Sequence, residues 1–308
     1  MVPAKKTCVI FPGLNGLFKD EDRNRFLAVP EVQTRFAQAE EVFADTFGMK
    51  FSFSEFLALP KEELYRIERI SMASASITAI QVGVMDAIRN VLPEPEWFLG
   101  ISMGDTARSV CAGAWSFEAA MVAIVKYTRS IEGADQVGAN ISLSCAKGEQ
   151  FSEADLEFFS ALNLDASHLT PRFINVAGSR ENLKKVAIQA QQKGWRWLES
   201  FNYPVHSREL KPYVETVRPE FTQVPFHKPT GRILSSVSCR EIYEPTELRD
   251  ELMETVVAPI HFQKPIDLLI GKHGVERFIN IGPCQTNSKF LKELGRSAEV
   301  VESAQILF

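Results

Sequence analysis

Residues 7–11, Thr-Cys-Val-Ile-Phe, form a short apolar run that meets Pro12-Gly13-Leu14-Asn15-Gly16. An apolar run bounded by such residues predicts a buried strand leading into a loop. Apolar side chains then recur at Val32, Phe36, Ala39, Val42, Phe43 and Phe47, the spacing of one helix face, so a helix is predicted over 32–47. Residues 71–92 are apolar almost throughout and predict a buried helix, ended by Pro93 and Pro95. Trp97-Phe98-Leu99 predicts a short strand. Two further helices are predicted over 106–113 and 117–131, the first closing at Gly113.

The pattern changes near Gly138. Strands predicted at 141–146, 172–177 and 195–201 alternate with two helices. The first helix opens on Ser152 as N-cap, with Glu153 and Asp155 in its first turn. The second covers 181–193 and closes at Gly194. This β-α-β-α-β run fits a small ferredoxin-like unit of about 65 residues. A larger α/β unit surrounds it, resuming near Pro204, with strands predicted at 232–238 and 277–281 and a helix at 245–257. The expected division is 137–205 for the inserted unit, with 1–136 and 206–308 forming the larger one.

The composition places the chain among ordinary globular proteins. Of 308 residues, 45% are hydrophobic and 24% charged, which excludes wholesale disorder. A net charge of −5 argues against a general nucleic-acid binder. No apolar run approaches the ~18 residues of a membrane span. The N-terminal stretch is too short for a signal-peptide core, so a cytoplasmic protein is expected. Cys8, Cys111, Cys145, Cys239 and Cys284 are odd in number and widely spaced. No metal site is expected from them.

Candidate chemistry begins at Gly100-Ile101-Ser102-Met103-Gly104, which fits G-x-S-x-G. Chance alone places that pattern in roughly one chain of this size in ten. Its context is more specific: a predicted strand precedes it and a predicted helix follows, the setting of a nucleophile elbow. The helix N-terminus beyond Ser102 offers free N–H groups and a positive dipole end to a developing oxyanion. A serine nucleophile needs a base. Five histidines are present: His168, His206, His227, His261 and His273. Spacing does not choose among them. His206 stands where the inserted unit returns to the larger one, and junctions between units are usual places for a cleft.

Several short motifs, in this order, resemble those of the malonyl-CoA:acyl-carrier-protein transacylase family, including the acyltransferases of polyketide synthesis. Phe11-Pro12-Gly13 resembles the family's F-P-G-Q-G, and Gly100–Asp105 its G-H-S-x-G-E. Ala112-Gly113 through Phe117 resembles A-G-x-x-x-F, and Val205-His206-Ser207 resembles P-F-H-S. Ala258-Pro259-Ile260 resembles s-P-V, and Asn280-Ile281-Gly282-Pro283 resembles E-I-G-P. The resemblance implies an α/β fold: an α/β-hydrolase-like core carrying an inserted ferredoxin-like subdomain. It implies a ping-pong acyl transfer with Ser102 as nucleophile and His206 as base. The histidine would be oriented by a backbone carbonyl, and Thr255 stands where the family has a glutamine nearby. Backbone N–H groups of Leu14 and Met103 would form the oxyanion hole. The substrate would be a phosphopantetheine-linked acyl thioester, with an acyl carrier protein as partner, acyl-CoA as a further donor, and no other cofactor.

The departures from the family pattern are as informative. Ile101 replaces the histidine of G-H-S, Leu14 the glutamine of the first motif, and Asp105 the glutamate. Malonyl-specific members carry an arginine some 25 residues beyond the nucleophile, which pairs with the substrate carboxylate. A gapless alignment on Phe117 puts Tyr127 in that place. A two-residue slip would offer Arg129 instead, on the other helix face. A carboxylate desolvated without a cation is costly. The acyl group is therefore expected not to be malonyl, and a place in polyketide or related biosynthesis is expected. Two other readings stay open: an editing thioester hydrolase on the same scaffold, and an inactive carrier-docking module. Arg180, Lys184, Lys185, Lys193 and Arg196, with Arg208 and Lys211, form a candidate basic face toward an acidic carrier.

Overall fold

A computed structural model describes residues 5–17 and 20–308; residues 1–4 of the N-terminal stretch lie outside it. Ten strands occur among the described residues: β1 Thr7–Phe11, β2 Trp97–Gly100, β3 Ala139–Ser144, β4 Asp165–Thr170, β5 Phe173–Gly178, β6 Arg196–Phe201, β7 Arg232–Leu234, β8 Glu241–Ile242, β9 Arg277–Asn280 and β10 Glu299–Glu302. They form two sheets, of order β10-β9-β1-β2-β7-β8 and β4-β5-β3-β6.

The first sheet is parallel except for β8 against β7. Burial on both faces explains why β1 reads as an unbroken apolar run. Val9 and Phe11 join the core formed with the Pro30–Phe47, Ile70–Arg89 and Phe117–Ser130 helices. Cys8 and Ile10 join the opposite core, with Ile266, Leu269, Leu291 and Leu294 from the Gln263–Gly271 and Thr286–Leu294 helices. The Ile70–Arg89 helix corrects one expectation. The helical stretch 67–89 is long and apolar enough to cross a membrane, yet 89% of its apolar window is buried inside the protein. Its polar residues here are mostly small and uncharged, so helices pack around it on every side.

The second sheet corrects another. It is β-α-β-β-α-β rather than the expected β-α-β-α-β; the extra strand, β4, escaped the sequence pattern because Asp-Ala-Ser-His-Leu-Thr lacks the apolar run that marks a strand. Pairing with β5 through a turn at Pro171-Arg172 makes it a strand nonetheless. The order β4-β5-β3-β6, all antiparallel, is the ferredoxin-like arrangement. The strand predicted over 232–238 stops at Leu234, where the Ser235 side chain accepts from the Val237 and Ser238 N–H groups and turns the chain into β8. The short β10 at the sheet edge carried no pattern signal.

What positions the functional region is the register. Phe11 pairs with Gly100 and Ile10 with Asn280, so β9, β1 and β2 end level. The segments that follow each of them emerge together at the carboxyl edge of the sheet, the usual ligand side of such sheets. The ferredoxin-like sheet meets the large sheet's domain near this region. His168 bridges to His261, and Asn140 donates to the Val205 carbonyl at 2.9 Å.

The β2–helix turn has no room for side chains at its glycines. A Cβ on Gly104 would lie 2.1 Å from the Phe11 carbonyl oxygen, and one on Gly100 would lie 2.5 Å from the Asp105 Cα. Both contacts are with backbone, which cannot swing away. Gly104→Ala is therefore expected to destabilise the protein by about 1–3 kcal/mol or more. Gly271→Ala, where nothing lies within 4 Å, should be neutral or mildly stabilising. Denaturant unfolding of the two variants checks the contrast, and equal midpoints would refute it.

Candidate active site

Ser102 follows β2 and sits at φ +58°, a left-handed conformation that non-glycine residues adopt at a cost of about 1–3 kcal/mol. The strain is held from both sides. The Ile101 N–H donates to the Phe11 carbonyl (3.0 Å), and the Gly104 N–H donates back to the Ile101 carbonyl (3.1 Å). The Gly104–Cys111 helix starts immediately beyond, with Met103 at its N-cap position. Gly13 of the neighbouring loop passes so close that a Cβ there would lie 3.2 Å from Ser102 Cβ.

His206 comes from the other side of the cleft, also in a left-handed conformation, at φ +65°. Its partners are carbonyls at the end of the Pro245–Val257 helix. The His206 N–H donates to the Val256 carbonyl at 2.8 Å, and ring Nδ1 lies 2.5 Å from the Thr255 carbonyl. These carbonyls are available for a local reason. Helix termini leave carbonyls without intrahelical partners, and the residue four beyond Thr255 is Pro259, which has no N–H. The Ile260 N–H donates to Ser167 Oγ instead of continuing the helix. Ala258-Pro259-Ile260, singled out above only by resemblance, thus frees the acceptor that orients the imidazole.

A carbonyl only accepts, so Nδ1 carries the proton and Nε2 is the free acceptor. Nε2 lies 2.9 Å from Ser102 Oγ. The serine hydroxyl therefore donates to the imidazole, which is the arrangement of an activated nucleophile. His206 is buried, and burial pushes its pKa down to about 4, with the Thr255 hydrogen bond opposing. The ring is neutral and able to take a proton at pH 7.

Beneath the pair lies an ionic cluster that the sequence did not signal. Arg108, fully buried, reaches Asp105 Oδ1 at 2.9 Å and Glu251 Oε2 at 3.0 Å. The Thr255 hydroxyl donates to Asp105 Oδ2 at 2.8 Å. Burial pushes the Asp105 pKa up, opposed by Arg108 and reinforced by Glu251. The cluster ties the helix behind Ser102 to the helix whose end holds His206. Arg108 and Glu251 stand 143 positions apart, so only folding reveals that they meet.

Leu14, Ser102 and Met103 line one apolar cavity of about 70 Å³, several times the ~10–15 Å³ that one water needs. Ile70, Ile124, Tyr127, Phe221 and Leu252 form much of its wall. Ser102 and His206 also face a wider cleft of about 620 Å³, lined in part by Ser142, Asn175 and Ser200 of the ferredoxin-like sheet. The serine thus stands between a narrow apolar pocket and an open approach. No lysine or arginine lines either space among the described residues. Tyr127 is in the pocket as the gapless alignment expects. Arg129 is not, which corrects its reading as a substrate-binding residue. It is exposed, its guanidinium over the Phe47 ring at 5.4 Å. Two residues along a helix rotate a side chain by about 200°, and the structure shows that rotation. The other four histidines line neither space. Much of the candidate basic face is internally paired: Arg180 with Glu199, Lys185 with Glu181, Lys193 with Asp155 and Arg208 with Asp165.

The profile of the acyl transferase domain family matches residues 27–307. The malonyl CoA-acyl carrier protein transacylase of Bacillus subtilis (strain 168) is 22% identical over 303 residues, spanning 96% of this chain and 92% of that protein. Among solved structures, an acyl carrier protein S-malonyltransferase from Vibrio cholerae superposes with a TM-score of 0.84 at 18% identity, over 98% of this chain and 100% of that one. A malonyl-transacylase solved in complex with its type II polyketide synthase acyl-carrier protein gives 0.83 at 18% identity, over 98% of each chain.

The buried imidazole has a pH signature. An ordinary histidine loses its basic form below about pH 6.5; His206, with its pKa lowered to about 4, keeps it further into acid. Labelling of Ser102 by a fluorophosphonate should rise with pH along a limb centred near 4. The unfolded chain takes up the proton that the fold refuses, so stability falls as pH drops from about 6.5 toward 4, and rates are compared per folded molecule by circular dichroism. A limb near 6.5 would show that the ring is not held neutral.

Proposed function

Because this chain belongs to the acyl transferase domain family, we propose that it moves acyl groups between acyl-carrier-protein thioesters through an ester on Ser102. The observation that carries this reading is the 2.9 Å contact between His206 Nε2 and Ser102 Oγ at the mouth of an apolar cavity. Ser102 Oγ attacks the thioester carbonyl carbon while its proton passes to His206 Nε2. The oxyanion that develops is met by the backbone N–H groups of Met103 and Leu14. Collapse breaks the carbon–sulfur bond, and the imidazolium returns the proton to the departing phosphopantetheine thiol. A second carrier thiol then attacks the acyl-serine ester and reverses the sequence. Acyl-CoA offers the same thioester and serves as a donor of the same class.

The acyl group is uncharged in this reading. The relatives above are named for malonyl transfer, but the cavity here offers a carboxylate no cation, with Tyr127 on its wall. Breaking a desolvated charge pair typically costs about 2–5 kcal/mol. The similarity to a transacylase that binds a polyketide synthase carrier supports a carrier protein as partner and a role in polyketide or related biosynthesis.

Incubation with acyl carriers and intact-mass analysis tests the chemistry. Ser102→Ala should form no acyl adduct, and a stable adduct on that variant would overturn the assignment. His206→Ala should slow acylation by roughly 10²–10⁴-fold, whereas a loss under about tenfold would point to another base. For specificity, kcat/KM should favour acetyl over malonyl carriers by at least about tenfold, since 2–5 kcal/mol corresponds to roughly 30- to 4000-fold. Tyr127→Arg should shift the preference toward malonyl. A wild type that prefers malonyl would sink the uncharged-substrate reading.

A further inference from the structure

The acyl cavity is apolar but not uniformly so. Several of its polar wall groups are already engaged. The Thr128 hydroxyl lies 2.5 Å from Ser71 Oγ and donates to the Ile124 carbonyl at 2.6 Å. Thr255 is bonded to Asp105, and Asp105 to Arg108. Two donors are different. The Tyr127 hydroxyl and the Trp115 indole N–H are buried and meet no hydrogen-bond partner among the described residues. Their side chains are only 8% and 5% exposed, and both line this cavity. They also share a wall, each ring packing against Phe221, with centroids 6.2 Å and 5.9 Å away.

Buried polar groups in folded proteins are nearly always paired. A cavity made only for an alkyl chain would gain from phenylalanine at position 127, which fills similar space and leaves nothing unpaired. Tyr127 and Trp115 instead hold two donors that are buried and unpaired before any ligand enters; a plain alkyl chain leaves them so, whereas an oxygen that reaches them gains about tenfold in binding for each bond made. The indole N–H only donates, and the phenol readily does so. The group that satisfies both is an acceptor.

Building on the acyl-Ser102 reading, we propose that the cavity selects acyl groups bearing an uncharged oxygen beyond the thioester carbonyl. These are oxo- or hydroxyacyl chains, with Tyr127 and Trp115 as the residues that recognise the oxygen. The oxygen is neutral because the wall supplies two dipoles and no cation, and neutral donors do not offset the desolvation of a carboxylate.

The test uses four-carbon thioesters on one carrier protein: butanoyl, 3-hydroxybutanoyl and 3-oxobutanoyl, with malonyl as the charged comparison. The second-order rate of Ser102 acylation is followed by intact mass in wild type, Tyr127→Phe and Trp115→Phe. Wild type should favour at least one oxygenated neutral chain over butanoyl by about tenfold or more. That ratio should fall by about tenfold in Tyr127→Phe and drop in Trp115→Phe as well. Equal rates for butanoyl and both oxygenated chains in wild type would overturn the proposal while leaving the acyl-enzyme reading intact. So would a ratio unchanged in both variants, since the two rings would then serve packing alone. A preference for malonyl over every neutral chain would show that the donors hold a carboxylate. Failure of every thioester to acylate Ser102 would instead remove the acyl-serine reading, and this inference with it.

Discussion

The arrangement around Ser102 depends on two carbonyls at the end of the Pro245–Val257 helix. A helix that continued would have consumed them. Pro259 removes the N–H that would have bonded to Thr255, and the chain turns so that the Ile260 N–H finds Ser167. The freed acceptors hold His206 by its backbone and by Nδ1. One ring tautomer and one orientation follow, and with them the contact to Ser102. A carbonyl fixes the ring as a carboxylate would, but it carries no full charge to stabilise an imidazolium. Combined with burial, that keeps the resting ring neutral.

The two halves of this contact are anchored to separate helices, Ser102 before the start of one and His206 at the end of the other, so their spacing is a matter of packing. Arg108 bridges them with its paired carboxylates. Such a buried cluster adds little net stability, because desolvation offsets much of the attraction, but removing one member leaves an uncompensated charge. Its evident effect here is to fix how the two helix ends face one another. The close approach of β1 to the elbow, possible only with glycine at 104, and the tight turn back to Asp105, possible only with glycine at 100, fix the same geometry from the sheet side. Strain at Ser102 and His206 is tolerated because these neighbours over-determine both positions.

Specificity is a separate matter from the chemistry. Ser102 faces an open cleft on one side and a confined apolar cavity on the other. The cleft is wide and part-lined by the ferredoxin-like sheet, whereas the cavity is narrow and apolar. Tyr127 and Trp115 stand on the cavity wall and take no part in the contact between Ser102 and His206, so that wall can change while the contact stays constant.

What the chain determines by itself is local. Apolar period and turn residues gave β1, β2, the long buried helix and the alternation of the ferredoxin-like unit. G-x-S-x-G between a strand and a helix pointed to Ser102 as the candidate nucleophile, because the elbow is built from consecutive residues. Resemblance along the whole chain was needed to choose His206 among five histidines, since its partners are distant in sequence. Tertiary structure alone decided the rest. It made β4 a strand through pairing that its own residues do not announce, and it brought Arg108 to Glu251. It turned Arg129 outward while leaving Tyr127 in the cavity, and it left two donors on that wall without partners. Apart from the β4–β5 hairpin, whose partner strand is adjacent, the deciding quantity is a contact between segments far apart in the chain, and such contacts have no signature in local pattern.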